Sequence, residues 1–455
     1  MSSSADRIAA IILAAGKGTR MKSTLPKVMH KIAGRAMVGH VLSNLAPLAP
    51  ERVAVVVAPG MDLVKREVSP APVAIQAEQL GTGHAVRCAR EALGAFAGTI
   101  LILFGDTPFV STDTLRKLVE RRAAKDEPAV VVLGMRPADA GAYGRLVLDR
   151  QGNLERIVEF KEASATERAI NLCNSGVMAV DGTILWTLLG LIKNDNAKGE
   201  YYLTDIVALA RADGRDCAVV EAPEAELLGV NSRAELAIAE TLYQDQRRMV
   251  AMEEGATLLD PRTVYFTADT KLGRDVVVGP NVVFGPGVTV ADEVEIRAFC
   301  HIEGATIDRG AIIGPFARLR PGAEIGPEAH IGNFVEVKNS IIGAGAKANH
   351  LSYLGDADVG AKSNIGAGTI TCNYDGFLKA RTEIGAEAFI GSNSALVAPV
   401  KIGAGAIVGA GSVITRDVEA DAIAVARGEQ VSRAGRAKDF RAQRQKLKSS
   451  KADKK

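Results

Sequence analysis

A six-residue repeat in the C-terminal half of the chain constrains its fold more than any other feature. Aliphatic residues recur at every sixth position, and a small residue often follows, as in Ile325-Gly326 and Ile402-Gly403. This period is typical of a parallel β-helix, in which each unit supplies a short strand and a corner. We expect the aliphatic side chain to point into the coil and the small residue to permit the turn. The repeated positions are Val278, Phe284, Val290, Ile296 and Ile302, then Ile313, Leu319, Ile325, Ile331 and Val337, then Val359, Ile365 and Thr371, and finally Ile384, Ile390, Leu396, Ile402, Val408 and Ile414.

The longest interruption of the repeat spans residues 373–382, and we predict that it forms a loop that leaves the coil. Such excursions often carry function. Glycine makes up 46 of the 455 residues and aromatic residues only 4%. A core built from aliphatic side chains and glycine-rich corners explains both values.

The N-terminal half alternates between two kinds of segment. Apolar, β-branched runs at residues 8–13, 52–57, 73–76, 100–104 and 130–133 predict buried strands, and amphipathic stretches at 38–48, 85–93 and 112–123 predict helices between them. This alternation predicts a mostly parallel α/β sheet, Rossmann-like, with ligands at the carboxyl ends of its strands.

Four regions follow from these patterns. Residues 1–230 form the α/β domain, 231–255 a linking helix, 256–430 the β-helix and 431–455 a basic tail. Ser232 followed by Glu235 is a capping-box signature at the start of the linking helix. The tail lacks a hydrophobic period, so we expect a solvated, flexible arm.

The net charge of +2 is a cancellation between the tail and the rest of the chain. Residues 433–455 contain ten Lys or Arg and two Asp, which leaves residues 1–432 with a charge of about −6. A basic arm could bind nucleic acid. The acidic body carries no nucleic-acid motif, so we expect no nucleic-acid partner.

The cysteines and the apolar segments favour a cytoplasmic protein. Cys88, Cys173, Cys217, Cys300 and Cys372 are scattered and form no CxxC pair, which argues against a disulfide framework or structural zinc. The apolar run at residues 8–15 is too short to span a membrane and leads into a glycine-rich segment, not a cleavage site. We therefore expect no membrane partner.

A glycine-rich segment follows the first predicted strand. Residues 13–21, LAAGKGTRM, fit neither the Walker A motif nor the dinucleotide fingerprint, and Pro26-Lys27 closes the segment. Its small residues allow backbone N–H groups to approach phosphates, while Arg20 and Lys27 supply positive charge. Asp106 ends another apolar strand, where a carboxylate can hold Mg²⁺. The segment therefore predicts a phosphate and metal site.

This segment resembles the signature of nucleotidyltransferases that join a sugar 1-phosphate to a nucleoside triphosphate. QAEQLGTGH at residues 76–84 and FGD at 104–106 match one branch closely. Together with the repeats, the chain resembles the bacterial bifunctional N-acetylglucosamine-1-phosphate uridyltransferases and glucosamine-1-phosphate N-acetyltransferases over residues 6–430. The resemblance implies a left-handed β-helix, UTP and acetyl-coenzyme A as co-substrates, a Mg²⁺ cofactor and a homotrimer. The product would supply peptidoglycan and, where present, lipopolysaccharide.

The resemblance also implies roles for residues of the N-terminal half. Arg20 and Lys27 would offset charge on the departing pyrophosphate, and Asp106 and Asn231 would bind the magnesium ion. Phe104 stands where the family often has tyrosine, but only a backbone contact is expected there. The residues implied to bind UDP-N-acetylglucosamine are Leu13, Ala14, Ala15, Gly16, Lys27, Gln76, Gly81, Thr82, Phe104, Gly105, Asp106, Gly144, Glu159, Asn174 and Asn231.

Bulky polar residues break the pattern of the coil and mark a second site. The resemblance makes His350 the general base, which suits an amine acceptor that must lose a proton as it attacks a thioester. A turn N–H near Ser392 is a candidate donor to the thioester oxygen. Cys372 lacks an activating partner, so we expect direct transfer. The residues implied to bind glucosamine 1-phosphate are Arg320, Lys338, Tyr353 and Asn364, and those implied to bind acetyl-coenzyme A are Ala367, Asn373, Tyr374, Ser392, Ala410 and Arg427.

Two alternatives remain open at this point. One is a sugar-1-phosphate nucleotidyltransferase with a merely structural coil, and His350, Asn373 and Tyr374 argue against it because a scaffold does not need them. The other is a non-enzymatic trimeric scaffold. Arg20, Lys27 and Asp106, which the motifs assign to one site, argue against that.

Overall fold

A mixed β-sheet forms the centre of the N-terminal part of the computed structural model, which describes residues 7–196 and 198–452. The chain divides into two compact units: one up to Val250 together with Tyr265–Ala268, the other Ala251–Val264 and the residues from Asp269 onward. The strands of the first unit are β1 (Ile8–Leu13), β2 (Lys31–Ile32), β3 (Arg35–Ala36), β4 (Arg52–Val57), β5 (Val73–Ile75), β6 (Thr99–Phe104), β7 (Val130–Met135), β8 (Arg145–Leu148), β9 (Leu154–Val158), β10 (Cys173–Asp181) and β11 (Cys217–Glu221).

Helices flank this sheet. The α-helices of the first unit are α1 (Met37–Leu45), α2 (Asp62–Glu67), α3 (Thr82–Cys88), α4 (Arg90–Leu93), α5 (Thr112–Arg122), α6 (Ala165–Arg168), α7 (Leu185–Leu191), α8 (Asp205–Ala212) and α9 (Arg233–Glu253). Short 3₁₀ turns occur at Thr19–Met21, Lys27–Met29, Ala46–Leu48, Glu224–Leu227 and Pro261–Thr263. Among the described residues, no helix has both the length and the apolar character needed to cross a membrane.

The strand order is β11-β7-β10-β6-β1-β4-β5, with β8 and β9 attached to β10. Strands β6, β1, β4 and β5 are parallel, as the alternating pattern predicts, whereas β10 runs antiparallel between β6 and β7. Alternate residues of one strand enter opposite cores: Ile11 packs on one face of the sheet and Ile12 on the other. Both faces are therefore covered, which explains why the strands are almost continuously apolar.

Helix α9 has the capping box that its sequence predicts. The Glu235 backbone N–H donates to Ser232 Oγ at 3.2 Å, and the Ser232 N–H donates to Glu235 Oε2 at 3.2 Å. Through Val250 the helix belongs to the first compact unit.

The hexapeptide repeats form three parallel sheets, consistent with a left-handed parallel β-helix. Val278 pairs with Ile296, three six-residue units later, so three strands complete one turn. Sheet 1 contains β12 (Thr257–Leu258), β14 (Val277–Val278), β17 (Glu295–Ile296), β20 (Ile312–Ile313), β23 (His330–Asn333), β26 (Lys347–His350), β29 (Asn364–Ile365), β32 (Phe389–Ile390), β35 (Ile407–Val408) and β37 (Ile423–Ala424).

The other two sheets have the same ladder of short strands. Sheet 2 contains β15 (Val283–Phe284), β18 (His301–Ile302), β21 (Arg318–Leu319), β24 (Glu336–Lys338), β27 (Tyr353–Gly355), β30 (Ile370–Cys372), β33 (Ala395–Val397) and β36 (Val413–Ile414). Sheet 3 contains β13 (Lys271–Leu272), β16 (Thr289–Val290), β19 (Ala305–Ile307), β22 (Ala323–Ile325), β25 (Ser340–Ile342), β28 (Ala357–Val359), β31 (Thr382–Ile384) and β34 (Val400–Ile402). The predicted repeat positions are all buried, which confirms the phase of the repeat.

The predicted reason for the small residue after each aliphatic one needs correction. In Ile331-Gly332, a Cβ on Gly332 would lie only 2.0 Å from the carbonyl oxygen of Asn349 on the next turn. The close approach between turns therefore excludes a side chain at this position. Other corner residues, such as Phe334 at φ 57°, have the left-handed backbone conformation. Of the loop predicted at residues 373–382, residues 373–381 lie outside the strands, with Phe377 91% exposed, whereas Thr382 already begins β31.

The basic tail differs in part from the predicted arm. The structure forms a helix, α10 (Arg436–Ala452), where the sequence suggested no regular structure. Alanine, arginine, lysine and glutamine favour helix without needing an apolar face. The described side chains of this helix are exposed, so the predicted solvation agrees with the structure.

Candidate functional site

A cavity of about 350 Å³ opens at the carboxyl ends of β1 and β6. Leu13 and Phe104 end these neighbouring parallel strands in register, and the Gly105 N–H donates to the Leu13 carbonyl oxygen at 2.9 Å. The glycine-rich segment and the Asp106 segment therefore meet at one edge of the sheet. The predicted residues that line the cavity are Leu13, Ala14, Ala15, Gly16, Lys27, Gln76, Gly81, Thr82, Phe104 and Asp106.

Lys27 joins the two predicted metal ligands. Its ammonium group makes a short ion pair with Asp106 Oδ2 and donates to Asn231 Oδ1 at 3.0 Å. Carboxylate and amide oxygens from distant segments thus converge on one cation. Hard oxygen donors of this kind fit Mg²⁺, which needs few protein ligands when phosphates and water complete its shell.

The other predicted residues lie outside the residues that line this cavity. Arg20 is exposed on the 3₁₀ turn Thr19–Met21. Gly144 and Asn174 are neighbours, because the Asn174 N–H donates to the Gly144 carbonyl oxygen at 2.8 Å. Glu159 directly follows β9, and burial raises its pKa.

Sequence reasoning missed four residues that line the cavity: Val28, Gln79, Ala85 and Glu200. Gln79 donates its amide to the Ala15 carbonyl oxygen, so it supports the glycine-rich segment. It lies within the motif at residues 76–84, which offered a signal. Glu200 comes from a region without a motif.

Acidic residues cluster around the start of α8. Burial, followed by the charges of Glu162, Glu159 and Asp195, raises the pKa of Asp205 to about 6. Lys198 opposes the rise in the pKa of Glu159, and so does a hydrogen bond from Thr204.

In the β-helix, His350 faces Asn333 on the preceding turn. The two residues pair between β23 and β26, with 2.7 Å between His350 Nδ1 and Asn333 Oδ1. An amide oxygen only accepts hydrogen bonds, so in the neutral ring this contact favours the tautomer with the proton on Nδ1 and the lone pair on Nε2. This is the tautomer that a general base at Nε2 requires.

A basic cluster lies at the corner between sheets 2 and 3. Arg320 Nη1 donates to Glu336 Oε1 at 2.7 Å, and Tyr353 pairs with Glu336 in the ladder. Lys379, which sequence reasoning missed, lies against Lys338; that contact is the main cause of its lowered pKa. A like-charge pair of this kind suits a dianionic phosphate.

A carboxylate holds the loop at residues 373–382 beside this cluster. Asp356 accepts a short hydrogen bond from Asn373 Nδ2 and another from Asn339 Nδ2 at 2.5 Å. Burial opposes ionisation, but these bonds together with the charges of Lys338 and Lys379 lower the pKa of Asp356. Asn373 itself is 8% exposed. Tyr374 is exposed, and its hydroxyl donates to the Gly376 carbonyl oxygen at 2.5 Å.

Ala367, Ser392 and Ala410, implied for acetyl-coenzyme A, lie at the corner between sheets 1 and 2, whereas Asn373 and Tyr374 lie in the loop between sheets 2 and 3. The Asn393 N–H donates to the Ala367 carbonyl oxygen at 2.7 Å, and the Gly411 N–H donates to that of Ser392 at 2.8 Å. Arg427 Nη1 donates to the Ala410 carbonyl oxygen at 2.7 Å. Ala367, Ser392 and Ala410 thus occupy successive turns of one edge. Asn364 lies on sheet 1, unlike the other implied acceptor residues.

Comparison with known proteins places the chain in one family. The family model described as MobA-like NTP transferase domain matches residues 10–170, and that described as bacterial transferase hexapeptide matches residues 269–304, 304–339 and 381–416. The chain is 63% identical to the bifunctional protein GlmU of Rhodospirillum rubrum, over 97% of this chain and 99% of that protein. It is 60% identical to the bifunctional protein GlmU of Paramagnetospirillum magneticum, over 96% and 97%. With these matches over nearly its full length, the chain belongs to the bifunctional GlmU family, enzymes that combine uridyltransferase and acetyltransferase activities in the synthesis of UDP-N-acetylglucosamine.

Proposed function

We propose that the β-helix acetylates glucosamine 1-phosphate with acetyl-coenzyme A, and that the α/β unit then transfers the uridylyl group of UTP to the product. The observation that supports this assignment is that different kinds of reactive group lie in the two units. Lys27 and Asp106, which would bind phosphate and metal, lie together in the α/β unit, whereas His350, the proposed general base, lies in the β-helix.

In the uridylyl step, an oxygen of N-acetylglucosamine 1-phosphate attacks the α-phosphorus of UTP, and the bond to the pyrophosphate oxygen breaks. Asp106 and Asn231 would hold Mg²⁺, which supplies charge neutralisation when bound. Lys27, released from Asp106, would contact phosphate, and Arg20 would approach the leaving pyrophosphate. Gly144, Glu159 and Asn174 would bind the sugar.

Gln76 would select uracil. Its amide nitrogen donates to the Gly81 carbonyl oxygen at 3.1 Å, so the amide oxygen can accept the N3–H of uracil. Cytosine has no proton at N3 and would leave that oxygen without a donor. A site built around such a hydrogen bond discriminates strongly.

In the acetyl step, the amine of glucosamine 1-phosphate attacks the thioester carbonyl carbon, and coenzyme A leaves as the thiolate. His350 Nε2 would take the ammonium proton while Asn333 holds the ring. Arg320, Lys338, Lys379 and Tyr353 would bind the acceptor phosphate. The edge at Ala367, Ser392 and Ala410 would carry acetyl-coenzyme A.

We further propose a homotrimer in the cytoplasm, with Phe299, Phe316 and Phe334 buried between copies. Their rings stack with centroids 4.8 and 5.1 Å apart, yet each ring is about half exposed. All three have left-handed backbone, which bulky residues rarely adopt. Phe334 adjoins Asn333, so burial of this strip would bring the acetyl site to a subunit boundary. Sedimentation of Phe316→Glu should then show dissociation.

One assay tests the two activities. Purified protein receives glucosamine 1-phosphate, acetyl-coenzyme A, UTP and Mg²⁺, and UDP-N-acetylglucosamine is followed. Omission of acetyl-coenzyme A should stop product formation, and added N-acetylglucosamine 1-phosphate should restore it. Formation of UDP-glucosamine from glucosamine 1-phosphate and UTP without acetyl-coenzyme A would contradict the proposed order.

A further inference from the structure

A second cavity in the N-terminal unit is separate from the nucleotide cavity. Its volume is about 330 Å³, close to the 350 Å³ of the nucleotide cavity. Three segments line it: β3 with α1, the residues that follow Asp106, and the C-terminal half of α9. Neither catalytic step described above uses it.

The lining of this cavity is rich in hydrogen-bond donors and positive charge. Arg35 and Arg247 approach from different elements, with hydroxyl groups from Ser43, Ser111 and Tyr243. Arg35 Nη1 donates to Ser43 Oγ at 3.0 Å, which joins two residues of the lining. The cavity lining that the structure describes includes no carboxylate.

Two carboxylates close to this lining already accept hydrogen bonds, one of them from the lining residue Ser111. Glu226 accepts from the Ser111 N–H at 3.0 Å and from Thr114 Oγ1 at 2.7 Å. Glu240 accepts from the Ala33 N–H at 2.8 Å and from Gln244 Nε2 at 2.8 Å. The volume admits a phosphate group with a small substituent. We propose that this cavity binds a small phosphate, as the free ion or as a phosphate monoester.

The cavity is connected to the predicted metal ligands. Asn44 Nδ2 donates to the carbonyl oxygens of Pro108 and Val110 at 3.1 and 3.0 Å, which holds the segment after Asp106. The Val230 N–H donates to the Asp106 carbonyl oxygen at 3.0 Å, and Asn231 follows it. A ligand against Pro108 and Arg247 would therefore order the segment that positions Asp106. Binding of this ligand does not depend on the proposed function. Only an effect of the ligand on uridylyl transfer would depend on the proposed function.

The test is hydrogen–deuterium exchange of the full chain, with both substrate sites filled by UDP-N-acetylglucosamine, Mg²⁺ and coenzyme A. Inorganic phosphate or glucose 6-phosphate should slow exchange at residues 108–112 and 243–247. Protection by phosphate alone assigns the free ion, and stronger protection by glucose 6-phosphate assigns a monoester. No protection by either would overturn the site.

Two variants on different elements keep the test independent of folding. Arg35→Gln and Arg247→Gln should each raise the concentration for half-protection at least about tenfold, as the loss of a charge-assisted hydrogen bond predicts. Arg66→Gln removes the same charge from an exposed position of α2 and should leave it unchanged. Equal protection in all three variants would overturn the assignment to this cavity.

Discussion

Asn333 and His350 lie on adjacent turns of the β-helix, with 2.7 Å between Asn333 Oδ1 and His350 Nδ1. The hydrogen bond joins residues at the same position of successive turns, so the regular spacing of the coil sets its length. The repeat itself thereby orients His350, the proposed general base. Partners of this kind fix the tautomer and ring orientation of a histidine.

Changes at Asn333 should alter acetyl transfer without altering uridylyl transfer. Asn333→Ala should lower kcat for acetylation about tenfold or more, because the imidazole loses its fixed tautomer, while His350→Ala should lose about a hundredfold or more. Asn333→Asp places a carboxylate beside the ring and should raise the pKa of the imidazolium. The rising limb of kcat against pH then moves to higher pH. An unchanged pH profile in Asn333→Asp would contradict a positioning role.

Asp106 should be needed for one activity only. Asp106→Ala removes a carboxylate ligand and several kcal/mol of charge stabilisation, so uridylyl transfer should fall at least about a thousandfold. Acetyl transfer should stay near its normal rate. Asp113→Ala, an exposed acid on α5, is the matched control. Normal uridylyl transfer by Asp106→Ala at saturating Mg²⁺ would refute the metal assignment.

The β-helix could be predicted well because its contacts repeat. Ile296 and Ile331 are buried by neighbours one turn away, so a six-residue period is enough to place them. The ends of β1 and β6 could also be placed together, since parallel strands share an edge at which Leu13 and Phe104 meet.

Contacts outside a period or motif could not be predicted. Lys379 lies in a loop, and its approach to Lys338 depends on a path that no local pattern describes. Glu200 reaches the nucleotide cavity from a segment without a motif. The sequence could not show why glycine is needed at position 332, because a lack of space and a left-handed backbone both favour glycine. In the structure the lack of space is the reason.

Lys379 should contribute to binding of the acceptor phosphate. Lys379→Gln should raise KM for glucosamine 1-phosphate about tenfold or more, as the loss of a charge-assisted hydrogen bond predicts, and leave KM for acetyl-coenzyme A unchanged. The neighbouring Lys338 lowers the pKa of Lys379. Lys379 should therefore lose its charge, and KM for glucosamine 1-phosphate should begin to rise, at a lower pH than for an ordinary lysine. Lys271→Gln, exposed on the coil, is the control. A change in kcat alone would argue against this role.

Asp205 should destabilise the protein at neutral pH. Its folded pKa of about 6 exceeds the ordinary value of about 3.9, so the folded state binds the proton more tightly. Stability should therefore fall as pH rises from about 4 to about 6 and remain lower above that window. Asp205→Asn should gain about 1 kcal/mol at pH 7, a value discounted for partial exposure of the group, and match the native protein near pH 4. Thermal unfolding at both pH values measures this, with Asp213→Asn at the other end of α8 as control. A gain equal at both pH values would show that the charge is not the cause.

Gly332 should not tolerate substitution, because the next turn of the coil leaves no space for a side chain. A methyl group there would lie 2.0 Å from the backbone oxygen of Asn349, and a backbone atom cannot move aside as a flexible side chain can. Gly332→Ala should cost about 2–3 kcal/mol or more, as overpacking does, and should separate Asn333 from His350, because both residues directly follow the clashing pair. The rate of acetylation should fall because His350 loses its contact with Asn333, whereas the rate of uridylyl transfer should not change. Gly190→Ala, at an exposed helical position with no atom near the added methyl, should instead be neutral or gain about 0.5–1 kcal/mol. Normal acetylation and thermal stability in Gly332→Ala would mean that the turns can separate locally, and the spacing of the coil would then no longer explain how His350 is held.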